Sequence, residues 1–260
     1  MSGSGNYAMI RQKIEGQNLQ HLLYGTSSAK KVTLQFWVKS PKTGIHVVEL
    51  YHGDVNYFNN IQYTIASANT WQKVTITFDG YQPTALDNNN GIGFQLAWWL
   101  GASTTYNSGT HTDNSWHNDA AKRAVGQVNV MDNTANNFYL TGVQLEVGDT
   151  STEFEHRSFG EELLACQRYL FKGDVQCLGS ADSAGNIQLA IQTPVNLRAN
   201  PTLVSFSSSL RGAVLAAASG AAFSAMQAPR VTITVSNTGS ANTLVAGFGG
   251  SASIQLDSEL

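Results

Sequence analysis

Hydrophobic and polar residues alternate along most of the chain between residues 7 and 147, which reads as strand after strand. In KVTLQFWVK (31–39), Val32, Leu34, Phe36 and Val38 alternate with Thr33, Gln35, Trp37 and Lys39. After the turn signal SPKTG comes IHVVELY (45–51), and WQKVTITF (71–78) then sets Val74, Ile76 and Phe78 on one face. GIGFQLAWWL (91–100) does the same with Ile92, Phe94, Leu96, Trp98 and Leu100. A period of two marks a strand with one buried face, and several such strands separated by turns predict a sandwich. Asp79-Gly80 and the NNNG run at 88–91 supply the turn chemistry. Residues 101–124, GASTTYNSGTHTDNSWHNDAAKRA, are polar and lack any period. So long a loop inside a domain is either functional or mobile.

FYLTGVQLEV (138–147) closes this first domain. Ser158 and Glu161 then stand in capping-box spacing, each able to satisfy a backbone donor at a helix start. Phe159, Leu163, Cys166 and Leu170 recur at helical spacing and give one apolar stripe. A helix this short is marginal in water unless its stripe is buried. It is expected to dock on the sandwich or the next domain as a packed connector. Beyond it the chain turns to Ala, Ser and Gly, with strands expected at 186–193, 201–206, 230–235, 243–248 and 251–256. AVLAAASGAAFSAM (213–226) suits a helix by its alanines and a hairpin by Ser219-Gly220; the hairpin is preferred. The reading is all-β: a sandwich over 6–158, a connector helix over 159–171, and a small β domain over 172–260.

Composition narrows the functional classes. Of 260 residues 13% are charged and 42% hydrophobic, with 24 glycines, a mix that favours short strands over helical bundles. A net charge of −3 offers no basic stripe for nucleic acid and no field for anionic lipid. No apolar run approaches the ~18–20 residues of a membrane span. The start, MSGSGN, lacks a basic n-region and an apolar h-region, so no secretory signal is expected. Cys166 and Cys177 have neither disulfide-framework nor metal spacing and are expected as free buried thiols, made in a reducing cytosol.

YLTGVQLEVGDTSTEFEHRSFGEELLACQRYL (139–170) resembles a segment of tailed-bacteriophage structural proteins, notably tail fibres and related virion surface proteins. IRQKIEGQNLQHLLYGTSSAKKVTLQFWVKSPKTG (10–44), NTWQKVTITF (69–78) and RAVGQVNV (123–130) extend the resemblance. TPVNLRANPTLVSF (193–206) and the terminal LDSEL are similar to the part that follows the helix in that group. The resemblance implies a jelly-roll domain like a carbohydrate-binding module, then the helix and a small C-terminal β domain. Members are usually longer, with an N-terminal portion that attaches to the virion; here MSGSG precedes the first matching segment, so the chain is a fragment or attaches differently. The implied function is a phage tail-fibre or receptor-binding protein that binds host cell-surface glycans. The alternative is a non-binding virion element, a capsid decoration or fibre spacer. A virion location, assembly in the host cytoplasm, contacts with other virion proteins and a homotrimer follow from the same likeness. The trimer has a second motive, since the polar strands of 174–260 bury little alone.

Glycan chemistry without charge rests on ring faces, which stack on the C–H faces of sugars, and on amides that bond hydroxyls. By parity Trp37 and Trp99 stand opposite the apolar residues, beside Gln35 and Gln95. That face either takes sugar or lies under a loop or a neighbouring subunit. Trp98 reads as core, and Trp71, just after a turn, as a plug at the sandwich edge. In the polar loop, Tyr106 and Trp116 are candidate stacking anchors of an exposed recognition loop. His111, Asp113, His117 and Asp119 carry donors that would suit zinc, but in a loop without fixed geometry no metal site is expected. A structural calcium would draw on Asp132, Glu146 and Asp149, which lack dense ligand spacing; no other cofactor is expected. No G-x-S-x-G, H-E-x-x-H or phosphate-loop lysine occurs. Glu153, Glu155 and His156 read as a solvated turn, so no catalytic residue is named and the chain is not expected to be an enzyme.

Overall fold

The alternating stretches form the strands of antiparallel sheets. A computed structural model describes residues 3–176, 178–181, 187–208, 221–227, 230–235 and 251–259. It divides into one unit of residues 1–155 and another of residues 156–260. The first unit contains β1 (Tyr7–Glu15), β2 (Val32–Lys39), β3 (Gly44–His52), β4 (Tyr57–Ile65), β5 (Gln72–Phe78), β6 (Ile92–Ala102), β7 (Trp116–His117) and β8 (Tyr139–Val147). One sheet has the order β1-β6-β3-β4-β7 and the other β5-β2-β8. The chain passes repeatedly from one sheet to the other, as a jelly roll does.

The core lies between the sheets and is made of the residues that alternation selects. Val32, Leu34, Phe36 and Val38 of β2 meet Phe94, Leu96 and Trp98 of β6, and all are buried. β4, whose run YFNNIQYTI is too polar to stand out, adds Ile61, Tyr63 and Ile65. β1 and β7 were likewise faint in the sequence.

The polar stretch after β6 is neither free nor extended. It forms a helical turn, α1 (Thr104–Asn107), then β7, then a 3-10 turn at Ala120–Lys122 capped by the Asp119 carboxylate, which accepts from Ala121 N at 3.0 Å. It lies on the outer face of the five-stranded sheet, where Trp99, Val47 and Ala124 make a second buried cluster with Tyr106 at its margin. Arg123 fastens it there. Its Nε donates to Glu49 Oε2 at 2.9 Å and its Nη2 to Oε1 at 2.6 Å. Glu49 is wholly buried. Asn60 Nδ2 donates both to Glu49 and to the Arg123 carbonyl, and the guanidinium sits 3.9 Å from the centre of the Phe58 ring.

The second unit opens with α2 (Phe159–Gln167), followed by β9 (Leu170–Gln176), β10 (Leu178–Ala181), β11 (Ile187–Gln192), β12 (Thr202–Ser208), β13 (Ala221–Gln227), β14 (Arg230–Val235) and β15 (Ser251–Asp257). These pair as β10-β11-β14-β13 and β12-β15-β9. Past β15, Ser258 Oγ donates to the Arg168 carbonyl at 2.9 Å, and Arg198 Nε donates to the Ser258 carbonyl at 2.7 Å. Cys177, the 243–248 stretch and residues 213–220 of the proposed hairpin lie outside the described residues.

The helix corrects one expectation. Its capping box is present, but none of its residues is buried: Phe159 is 82% exposed and Leu163 42%. Cys166 is a free, exposed thiol, where a buried one was expected. The cap satisfies the first turn locally, and Leu164, adjacent to Leu163, stands off the stripe, so the apolar surface of the helix is spread over more than one face.

Three histidines of the first unit are held neutral. Burial is the largest influence on His46, His52 and His117 and pushes each below the ordinary imidazole value. As pH falls, the unfolded chain therefore takes up protons before the folded one. Stability is fully present above about pH 6.5 and declines as pH falls below it. Denaturant midpoints measured stepwise from about pH 8 to pH 5 should drop through that window; a flat profile would refute neutral burial.

Candidate functional site: an aromatic platform on the three-stranded sheet

The outer faces of the two sheets differ in what covers them. On the three-stranded sheet the outward residues of β2 are Thr33, Gln35, Trp37 and Lys39. Residues 148–155 cross the first two. Thr33 Oγ1 donates to the Gly148 carbonyl at 2.8 Å, and Gln35 Nε2 donates to the Thr152 carbonyl at 2.8 Å. Thr152 is held in turn by Glu146, which accepts from its N at 2.9 Å and its Oγ1 at 2.6 Å. Those bonds, the Thr152 hydroxyl first, hold the Glu146 carboxyl below its ordinary range. The segment stops short of Trp37.

Beyond that edge the sheet is open. Strand pairing places Lys73 of β5 and Thr141 of β8 on either side of Trp37, and Tyr139 beside Lys39. Trp71 immediately precedes β5 and continues the same row. Trp37 is 42% exposed, Trp71 43% and Tyr139 45%. The Trp71 and Tyr139 rings lie 6.3 Å apart at 60°. The Lys39 ammonium stands between them, 5.1 Å from the Trp71 ring centre and 4.6 Å from that of Tyr139.

A bulge sets the position of Trp37. Between Gln35 and Trp37 the register shifts, so Gly142 and Val143 of β8 oppose Phe36 alone. Gly142 has φ +59, and a Cβ there would come within 3.2 Å of Trp37 Cδ1. The left-handed backbone favours glycine, and a Cβ there would also press the indole aside by a few tenths of an ångström. The result is a row of exposed rings beside hydroxyl and ammonium donors, with the Lys39 ammonium over the Trp71 and Tyr139 rings. That surface can stack a sugar and bond its rim.

The predicted site residues fall on different surfaces. Trp37 is on the platform. Gln35 is on the same face but is buried under residues 148–155, its amide nitrogen bonded to the Thr152 carbonyl. Trp99 and Gln95 are buried on the other sheet. Parity correctly set Trp99 apart from the main core, but the fastened loop covers it, so it is a second-core residue. Tyr106 packs on Trp99 with ring centres 5.4 Å apart, half-buried. Trp116 also turns inward, packing against the main core while its Nε1 donates to the Asp79 carbonyl at 2.8 Å. These two rings anchor the loop rather than offering it to a ligand. Trp71, expected to plug the sandwich edge, is on the open platform. Tyr139, Lys39 and Lys73 were not singled out, although period-two parity from Trp37 and Trp71 marks the two lysines as outward.

Among the described residues no three His, Cys, Asp or Glu groups converge on a metal position. His117 Nε2 faces Asn60 Oδ1 at 3.0 Å and its Nδ1 accepts from Asp119 N. Asp132 is bound to Lys42, which holds its carboxyl below the ordinary range.

The two tryptophans should separate in stability. Trp99→Ala should cost about 3–5 kcal/mol, as truncation of a buried aromatic does, whereas Trp37→Ala should fall within about 0.5 kcal/mol of the parent. Urea denaturation of both variants checks this, and equal losses would contradict the placement. In comparisons with known proteins the chain matches no protein-family model and no curated protein.

Proposed function

We propose that this chain is a tailed-bacteriophage virion protein, part of a tail fibre or receptor-binding head, whose sandwich binds host cell-surface glycans without catalysis. The observation that carries the reading is the set of exposed rings, Trp37, Trp71 and Tyr139, on one open sheet face. Large aromatic side chains left in water on a face otherwise able to be polar are unfavourable for a monomer, and their grouping fits a surface kept for a ligand. The resemblance of residues 10–44, 69–78, 123–130 and 139–170 to phage surface proteins supplies the biological setting. The other reading, a spacer that binds nothing, leaves the platform without a use.

A glycan array probed with the intact chain tests this. Removing one stacking ring should cost about 1–3 kcal/mol, by analogy with base stacking, which is roughly ten-fold or more in affinity. Trp37→Ala should therefore lose most binding while remaining folded. An array on which the parent chain binds no glycan refutes the proposal in favour of the spacer.

Self-association belongs to the same proposal, as a homotrimer that presents several platforms together and gains avidity without new contacts per head. The exposed stripe of Phe159, Leu163 and Cys166 supports it, since apolar helix surface of this kind is ordinarily covered by another chain. Light scattering at micromolar concentration should give about three times 27.9 kDa, falling in a Phe159→Ser, Leu163→Ser double variant. A parent chain of only 27.9 kDa at that concentration would defeat it.

A further inference from the structure

Resting on the glycan-binding reading, we infer that the platform is built for an acidic glycan, one whose sugars carry carboxylates, with Lys39 and Lys73 as the groups that select it. Lys39 is half-buried, held over two rings, and Lys73 is the direct cross-strand neighbour of Trp37. Among the described residues neither has a carboxylate within 4.0 Å, whereas Lys31, Lys42, Arg123 and Arg157 all do. In a chain with 18 acidic against 15 basic residues, two ammonium groups on one aromatic face, neither in a close ion pair, are a local reversal of sign.

Two acids near the face already have partners. Glu146 lies at its covered end, bonded to Thr152 and only within long-range reach of the Lys73 charge, and Asp132 is paired with Lys42. The ring faces around Lys39 compensate its ammonium only weakly, so a carboxylate from a ligand would be its first full partner among the described residues.

Geometry favours a carboxylate borne directly on the sugar ring. A pyranose stacked on Trp37 carries a C5 carboxylate at its rim, close to the ring plane. Lys73 stands on that rim in the same cross-strand row, and Lys39 lies two residues along β2, about 6.6 Å away at roughly 3.3 Å per residue. The stacked ring and the lateral charge can then be satisfied together.

The experiment uses an array of carboxylated glycans paired with their methyl esters, plus sulfated and neutral members. It is probed with the parent chain, Lys39→Gln, Lys73→Gln and Trp37→Ala, each first shown by circular dichroism to be folded. The inference expects binding to carboxylated members, lost on esterification, weakened about ten-fold or more by either lysine substitution, and reduced as salt rises. Binding that survives esterification, or lysine variants that bind like the parent, would overturn the inference while leaving glycan binding intact. Equal binding of sulfated members would overturn the choice of carboxylate. An array with no bound glycan removes the functional reading and this inference together.

Discussion

The buried pair between Glu49 and Arg123 decides which surface of the sandwich is available. A carboxylate with no exposure, sunk in a sheet, is tolerable only with its partner and hydrogen bonds in place. Asn60 supplies one such bond, and the Phe58 ring shields the guanidinium. Because Arg123 comes from the polar stretch after β6, meeting the needs of Glu49 means laying that stretch over the five-stranded sheet. The outer face of that sheet thereby becomes a second, smaller core around Trp99. The opposite sheet has a lighter cover, residues 148–155, which ends before Trp37. The ion pair closes one outer face, while the shorter cover on the other leaves Trp37 exposed.

The platform depends on pairing between strands far apart in sequence. Rows set by β5, β2 and β8 bring Lys73, Trp37 and Thr141 together, then Trp71, Lys39 and Tyr139. The bulge at Gly142 adjusts the first row so that the indole rests on backbone rather than on a side chain. The same strands turn Phe36, Val38 and Val74 inward. Alternation thus separates the two tasks, with packing on even-numbered residues of β2 and presentation on the odd residues Trp37 and Lys39, beyond the covered Thr33 and Gln35.

How much of this is legible in the chain follows from what local pattern can carry. Alternation revealed β2, β3, β5, β6 and β8, and the Ser158–Glu161 cap was readable because it is a local interaction. Trp37 could be placed outward from parity alone. Parity served equally well for Trp99 and Gln35, yet both are buried, since facing away from the main core is not the same as facing water. What covers a face is decided by long-range contacts, the Arg123–Glu49 pair and the Gln35–Thr152 bond, which span 74 and 117 residues of chain. The same gap hid the grouping of Trp71 with Tyr139, whose partnership exists only through β2. β4 escaped notice because Asn59, Asn60 and Gln62 blur its alternation; Asn60 serves the buried network and Gln62 bonds the Val125 carbonyl.

The segregation of the two faces has an evolutionary corollary. The rings and ammonium groups of the platform occupy short windows around residues 37–39, 71–73 and 139–141, interleaved with Val38, Gln72 and Leu140, of which Val38 and Leu140 pack into the core and Gln72 bonds the Thr64 carbonyl. Substitutions at the outward positions alter ring faces, charge and donors without disturbing the packing beneath them. Gly142 is the exception, because its backbone conformation is tied to the indole above it. Such a surface can drift rapidly through different recognition chemistries while the scaffold stays fixed, and a lineage under pressure to follow a changing partner would accumulate its variation in those windows.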